Sequence, residues 1–212
     1  NGHLIADSYA AYNAINPKGR QVCLAHLIRK TDEIAQRIDL LPESKQDRKS
    51  LNFCRSLNVF LKQCCKIGQK RNRGALGYEK ARDLIPKIEK MREEICLLKV
   101  HDEEAENLRK RVSDPSRDGD RLFVFLEVNG MEPTNNHAEQ ALRLPVIFRK
   151  ICFGSRSLDG ARNLAVNLSL LGTARRQKSD PIELLKTILL KKENTPIETL
   201  YHPDNLPSID SS

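Results

Sequence analysis

Two carboxylates far apart in the sequence stand where an acid could hold a cation. Asp7 closes the short apolar run from His3, in which Leu4, Ile5 and Ala6 read as a buried strand. A carboxylate at the C-terminal end of a strand reaches the cleft where the chain leaves a sheet. Glu139 falls in the stretch Gly130 to Arg143, G-M-E-P-T-N-N-H-A-E-Q-A-L-R. There Glu132, Pro133 and Thr134 break one element, Asn135 and Asn136 offer caps, and an Ala/Leu-rich helix follows. A carboxylate in the first helical turn is favoured by the helix dipole and projects from a rigid support, which suits a metal ligand. Both acids also have plainer uses. Asp7 can cap the S-Y-A-A-Y-N-A-I helix expected behind it. Asn136 and Glu139 are spaced as a capping box, and Glu139 and Arg143 as an i,i+4 ion pair, so local chemistry leaves the choice open.

Cys23 and His26 have the spacing of a metal-ligand pair. No second pair accompanies them, and a buried strand cysteine beside a hydrogen-bonded histidine is the default.

Behind Glu139 the charge changes character. Arg143, Arg149, Lys150, Arg156, Arg162, Arg175, Arg176 and Lys178 are opposed only by Asp159 before Asp180. Gly154 to Gly160, with Ser155 and Ser157, reads as a loop whose amides and hydroxyls could hold a phosphate backbone, or as an ordinary connector. Cutting or joining a phosphodiester needs an activated oxygen nucleophile and neutralised charge on the leaving oxygen. Two divalent cations roughly 4 Å apart do both, and hard cations such as Mg²⁺ select carboxylate oxygens. Acids converging from separate elements, with a basic track beside them for the polymer, meet that specification.

The elements that must position these residues follow from pattern. Asn16-Pro17-Lys18-Gly19 is a turn, Arg20 to Ala25 a second strand, and His26 to Leu41 a helix. From Pro42 to Asn129 the pattern is almost entirely helical. Leu51, Cys54, Leu57, Leu61, Cys64 and Cys65 share one face, and Arg71 to Gly77 forms a basic break. One long helix is expected from Tyr78 to Val112, kinked at Pro86, with a solvated charged outer face. The helix D-R-L-F-V-F-L-E-V then closes the subdomain with Leu122, Phe123, Phe125 and Leu126. Ala161 to Arg176 should bury Leu164, Ala165, Leu168 and Leu171, and Asp180 should cap a last helix. Beyond Lys192 proline and polar residues predict an extended or disordered tail.

The chain has 212 residues, net charge +8 and 39% hydrophobic residues. Its mean hydropathy is −0.52 and its pI about 9.2. This describes a soluble protein attracted to polyanions, with no apolar run near the ~20 residues of a membrane span and no signal peptide. The six cysteines form no C-x-x-C pair, and adjacent Cys64 and Cys65 suit reduced thiols in a cytoplasmic protein. The sequence starts at Asn1, directly at a strand and without an initiator Met, as expected of a fragment.

Several of these stretches together carry a resemblance. E-P-T-N-N-H-A-E-Q-A-L-R, then R-K-x-x-x-G-S from Arg149 to Ser155, then S-L-L-G-T-A from Ser169 with Asp180-Pro181 are ordered as at the C-terminal end of insertion-sequence transposases of the sixty-six family. A-D-S-Y-A-A-Y from Ala6 and C-L-A-H-L-I-R-K from Cys23 resemble that family's second-aspartate strand and the strand after it. The resemblance implies a predominantly α chain with a small β part: a truncated RNase H-like α/β core carrying a large helical insertion. Its divisions would be 1–30 and 130–192 for the core, 31–129 for the insertion and 193–212 for the tail. It implies an Asp, Asp, Glu metal triad using Mg²⁺ or Mn²⁺, two ions in the complete protein, with Asp7 and Glu139 as second and third acids.

The same resemblance implies contacts to double-stranded DNA from Asn135, Asn136, Arg143, Arg149, Lys150, Ser155, Arg156, Arg162, Arg175 and Arg176, and supporting roles for Cys23 and His26. The complete protein would be a homo-oligomer, cytoplasmic and nucleoid-associated. The family's first Asp lies on an earlier strand and has no counterpart in this sequence, so this chain is expected to be inactive alone. Gln140 stands where the family more often has Arg, and R-K-I-C-F replaces a more aromatic run. The competing expectations are a DNA-binding remnant without catalysis and a helical interaction protein.

Overall fold

The structure, a computed structural model, describes residues 2–7, 12 and 14–190. The tail expected from 193 to 212 lies outside them, as do residues 8–11 of the helix expected after Asp7. The chain divides into two compact units, Asn1–Glu139 and Gln140–Ser212.

The first unit begins with strands β1 (His3–Ala6) and β2 (Gly19–Val22), paired in parallel with Ala6 opposite Val22. The second strand is shorter than expected. Cys23 is already the N-cap of helix α1 (Leu24–Asp39). Its amide donates to the Ala6 carbonyl at 2.8 Å, extending the ladder by one bond, while Leu24 N–H turns away to the Pro133 carbonyl at 3.0 Å. His26 therefore sits in the first turn of a helix.

Helix α2 (Arg48–Asn72) carries the apolar face its periodicity predicts, with Leu51, Cys54, Leu57, Leu61 and Cys64 buried against α1 and only Cys65 half-exposed. Asp47 caps it by accepting from Lys49 N–H at 3.1 Å. Gly74, with φ +72°, ends the turn behind it, as the glycine-containing break required.

The single helix expected from Tyr78 to Val112 is instead three: α3 (Tyr78–Arg82), α4 (Ile85–Cys96) and α5 (Glu103–Ser113). Pro86 lies in the first turn of α4, where its missing N–H costs nothing, so it starts a helix instead of kinking one. The next break has its own cap, since Asp102 accepts from Ala105 N–H at 3.1 Å and is gripped by Arg37 of α1 at 2.8 Å. Helical periodicity runs through all three segments and does not reveal caps that fold it back on itself.

Leu122, Phe123, Phe125 and Leu126 are buried, although the helix expected there reduces to a 3-10 turn (Gly119–Arg121) and the short α6 (Val124–Glu127). Phe123 meets Phe60 of α2 edge to face at 5.9 Å. Gln21 of β2, 1% exposed, ties this segment to the sheet. Its amide nitrogen donates to Leu122 O at 2.7 Å, and its carbonyl accepts from Phe125 N–H at 2.9 Å.

Helix α7 (Asn136–Ile151) begins in the first unit and continues into the second. The second unit adds α8 (Leu158–Arg176) and α9 (Pro181–Leu190). Ser157 caps α8 through Gly160 N–H at 3.0 Å, which shortens the expected Gly154–Gly160 loop and commits one of its hydroxyls. Asp180 caps α9 through Ile182 N–H at 2.8 Å. The burial expected for α8 is not reached. Leu164, Leu168 and Leu171 are half-buried and Ala165 is exposed; Ala174 is the helix's buried apolar residue. Leu164, Ala165 and Leu168 line an open groove instead of a core.

Candidate functional site

Three segments of the first unit meet at the C-terminal ends of the strands. Asp7 follows β1 directly, and Cys23 follows β2 in the next position of the ladder. The third segment, Met131 to Asn135, is pinned from two sides. Arg71, near the end of α2 and 5% exposed, donates to the carbonyls of Phe125 and Met131, the latter at 2.5 Å. Asn72 donates to Glu132 Oε1 at 2.8 Å. From the other side, Leu24 N–H binds the Pro133 carbonyl, and Asn135 N–H donates to Cys23 Sγ at 3.3 Å. Buried hydrogen bonds therefore aim the chain as it enters α7.

Glu139 is the product of that aim. Its amide donates to Asn135 O at 3.0 Å, and its carboxylate reaches back to α1. Oε1 lies 3.4 Å from His26 Nε2, and Oε2 lies 3.6 Å from Arg29. Both contacts are longer than a close charge-assisted hydrogen bond. The carboxylate, 41% exposed, is oriented without being fully occupied. The capping-box alternative is not formed: Asn136 is already inside the helix, and the Asn135 side-chain oxygen is buried with no hydrogen-bond partner among the described residues.

Cys23 Sγ, a His26 nitrogen and a Glu139 oxygen lie within 4.8 Å of one another. Thiol and imidazole are soft or borderline donors, whereas a hard cation such as Mg²⁺ takes carboxylate oxygens. Cys23 is fully buried and its sulfur accepts an amide. The Glu139 carboxylate is the one hard oxygen donor of this group; Asp7, half-buried after β1, is not part of it.

Sequence reasoning missed two residues here. Arg29 follows His26 by three positions, a same-face spacing that could have been read. Arg71 carried no such signal: the sequence shows it only as the start of a basic break, yet burial pushes its guanidinium below the ordinary value against the opposing pull of Glu132.

The remaining basic candidates are distributed over the second unit. Arg143, Arg149 and Lys150 lie on α7, Ser155 and Arg156 between α7 and α8, and Arg162, Arg175 and Arg176 on α8, all of them exposed. Arg149, Ser155 and Arg176 are brought together on a groove of about 770 Å³ floored by Leu142, Pro145, Leu164 and Leu168. Arg143, Lys150, Arg156, Arg162 and Arg175 do not line it. No described helix is long and apolar enough to cross a membrane.

A family model described as Transposase IS66 family matches residues 1–163, which include β1, β2, the helical region and Glu139. Nothing matches among the curated proteins or among the solved structures.

Proposed function

Because this chain belongs to the IS66 family of transposases, we propose that it contributes to transposition of insertion-sequence DNA by metal-dependent phosphodiester cleavage and strand transfer. Asp7 and Glu139 are the carboxylates that hold the divalent cation, Mg²⁺ or Mn²⁺, in an RNase H-like arrangement. A cation held there would supply activation of the attacking oxygen and neutralisation of charge on the leaving one.

The protein's own work is positioning. His26 and Arg29 orient the Glu139 carboxylate from one side, and the Cys23 contact to Asn135 fixes the start of α7. The arginines and lysine beyond Glu139 hold the DNA backbone by charge. In the family's scheme a further carboxylate comes from an earlier strand, and the complete transposase is a homo-oligomer on double-stranded DNA.

The observation that supports this reading is the meeting of strand ends and helix start. Asp7 leaves β1 beside Cys23, and Cys23 lies within 4.8 Å of the Glu139 carboxylate. Expressed within a complete transposase, Glu139→Ala is expected to abolish cleavage and leave DNA binding largely intact. Retained cleavage would remove Glu139 from the metal site.

A further inference from the structure

Beside Asp7 the first unit contains a cavity of about 600 Å³ that the reading of the motifs did not anticipate. Its walls bring together residues distant in sequence: Asp7 and Arg20 from the strand region, and Arg111, Arg117, Asp118 and Arg121 from the end of the helical region. Four guanidinium groups face two carboxylates, so the cavity carries a positive excess.

The four arginines are not equivalent. Arg111 is paired with Asp118, and Arg20 donates to the carbonyls of Tyr12 and Ile15, the latter at 2.6 Å. These two are spent on the fold. The side chains of Arg117 and Arg121 make no hydrogen bond or ion pair among the described residues; Arg117 is exposed, with the charge of Asp114 near enough to be felt. They come from the turn between α5 and α6, held by bonds from Gly119 N–H to Asp114 O at 3.0 Å and from Arg121 N–H to Asp118 O at 2.9 Å. Arg121 also borders a second polar cavity, with Asn16 and Asp120. Two unspent guanidiniums on a fixed turn suit an anion of tetrahedral oxygens, which a planar fork of donors matches well. The volume is that of a site for a nucleotide-sized group.

Resting on the transposase reading above, we infer that this cavity is a phosphate subsite in which Arg117 and Arg121 hold the backbone of the DNA strand presented to Asp7. The helical region then takes part in substrate binding as well as in separating two parts of a core. Its contribution comes from the turn before α6, not from the charged faces of its long helices.

The test is binding of the full 212-residue chain to a double-stranded DNA oligonucleotide of arbitrary sequence, over a range of salt concentrations. Three variants are compared with wild type: Arg117→Gln with Arg121→Gln, Arg117→Lys with Arg121→Lys, and Arg149→Ala with Lys150→Ala. Each phosphate contact adds about 0.9 to the slope of log affinity against log salt. The glutamine pair should therefore flatten the slope by about two and weaken binding about tenfold or more at moderate salt, while the lysine pair keeps most of the slope.

Wild-type slope and affinity in the glutamine pair, with DNA still bound, would overturn this inference and leave the DNA reading in place. Equal losses in the glutamine and lysine pairs would trace the effect to the turn's structure and also overturn it. Absence of salt-sensitive binding in wild type would sink the DNA reading itself, and this subsite with it. Should the glutamine pair fail to fold, Arg117→Gln alone, at an exposed position, must still flatten the slope by about one.

Discussion

Replacing Arg71 by alanine should loosen the segment that aims Glu139, and the magnitude can be worked from its contacts. Arg71 is 5% exposed and satisfies the carbonyls of Phe125 and Met131, themselves 0% and 7% exposed. Truncation removes the Arg71 donor from the Phe125 carbonyl and leaves the Met131 carbonyl with the long 3.5 Å contact from Asn72, at about 1–3 kcal/mol for each buried acceptor. Relief of the guanidinium's own desolvation, visible as its lowered pKa, offsets part of this. A net loss of about 2–4 kcal/mol remains. With a urea m-value of about 2 kcal/mol per molar, the denaturation midpoint should fall by about 1–2 M.

The loss should also be local before it is global. Amide exchange should quicken first at Leu24 and Asn135, whose N–H groups bind Pro133 O and Cys23 Sγ across the same segment. A midpoint shift below about 0.3 M at unchanged m would refute the reasoning. So would exchange protection at Leu24 and Asn135 equal to wild type, because Arg71 would then not be what holds residues 131–135.

Gly68→Ala sets helix propensity against packing. A Cβ there would come within 2.8 Å of the Phe125 ring, at a cost of about 1–3 kcal/mol, against a propensity gain of about 1 kcal/mol. Thermal denaturation should show net destabilisation, and a raised Tm would show that the ring has room to move. Under native conditions a disulfide thiol reagent should modify exposed Cys152 first, since burial pushes Cys64 up to about 12 and Cys54 and Cys65 up to about 11. Persistence of the fast phase in Cys152→Ser would contradict this.

Stability should fall in acid through Asp102. Burial acts to raise its carboxyl, but the Arg37 guanidinium and the Ala105 amide outweigh burial and hold it below the ordinary value. A depressed folded pKa adds stability that is fully present above the unfolded value near 4 and is lost as pH falls through the folded one. Asp102→Asn should flatten the stability profile below about pH 4 by about 1 kcal/mol, a modest effect because Arg37 is 44% exposed. An unchanged acid limb would remove Asp102 from the account.

Much of the scaffold was legible because it is local. The face of α2, the cap at Asp180, and the burial of Leu122, Phe123, Phe125 and Leu126 follow from residue spacing and from which side chains can close a helix end. The motif around Glu139 was legible as a start signal, and its order with the others carried the family resemblance. Periodicity failed where a cap interrupts it without changing the pattern, as at Asp102, and where a stripe such as Leu164 and Leu168 meets no partner to bury it.

What the sequence determined by itself, then, is the predominance of helix, the apolar face of α2 and the family. Only tertiary structure decided that Arg71 is a buried fastener, that Arg29 joins His26 on Glu139, and that Arg117 and Arg121 stand beside Asp7. Spacing along one helix fixes which side chains share a face. Which faces meet depends on the summed packing of the whole core, and a long charged side chain reads the same in sequence whether it ends in water, against a carbonyl or at the edge of a cavity.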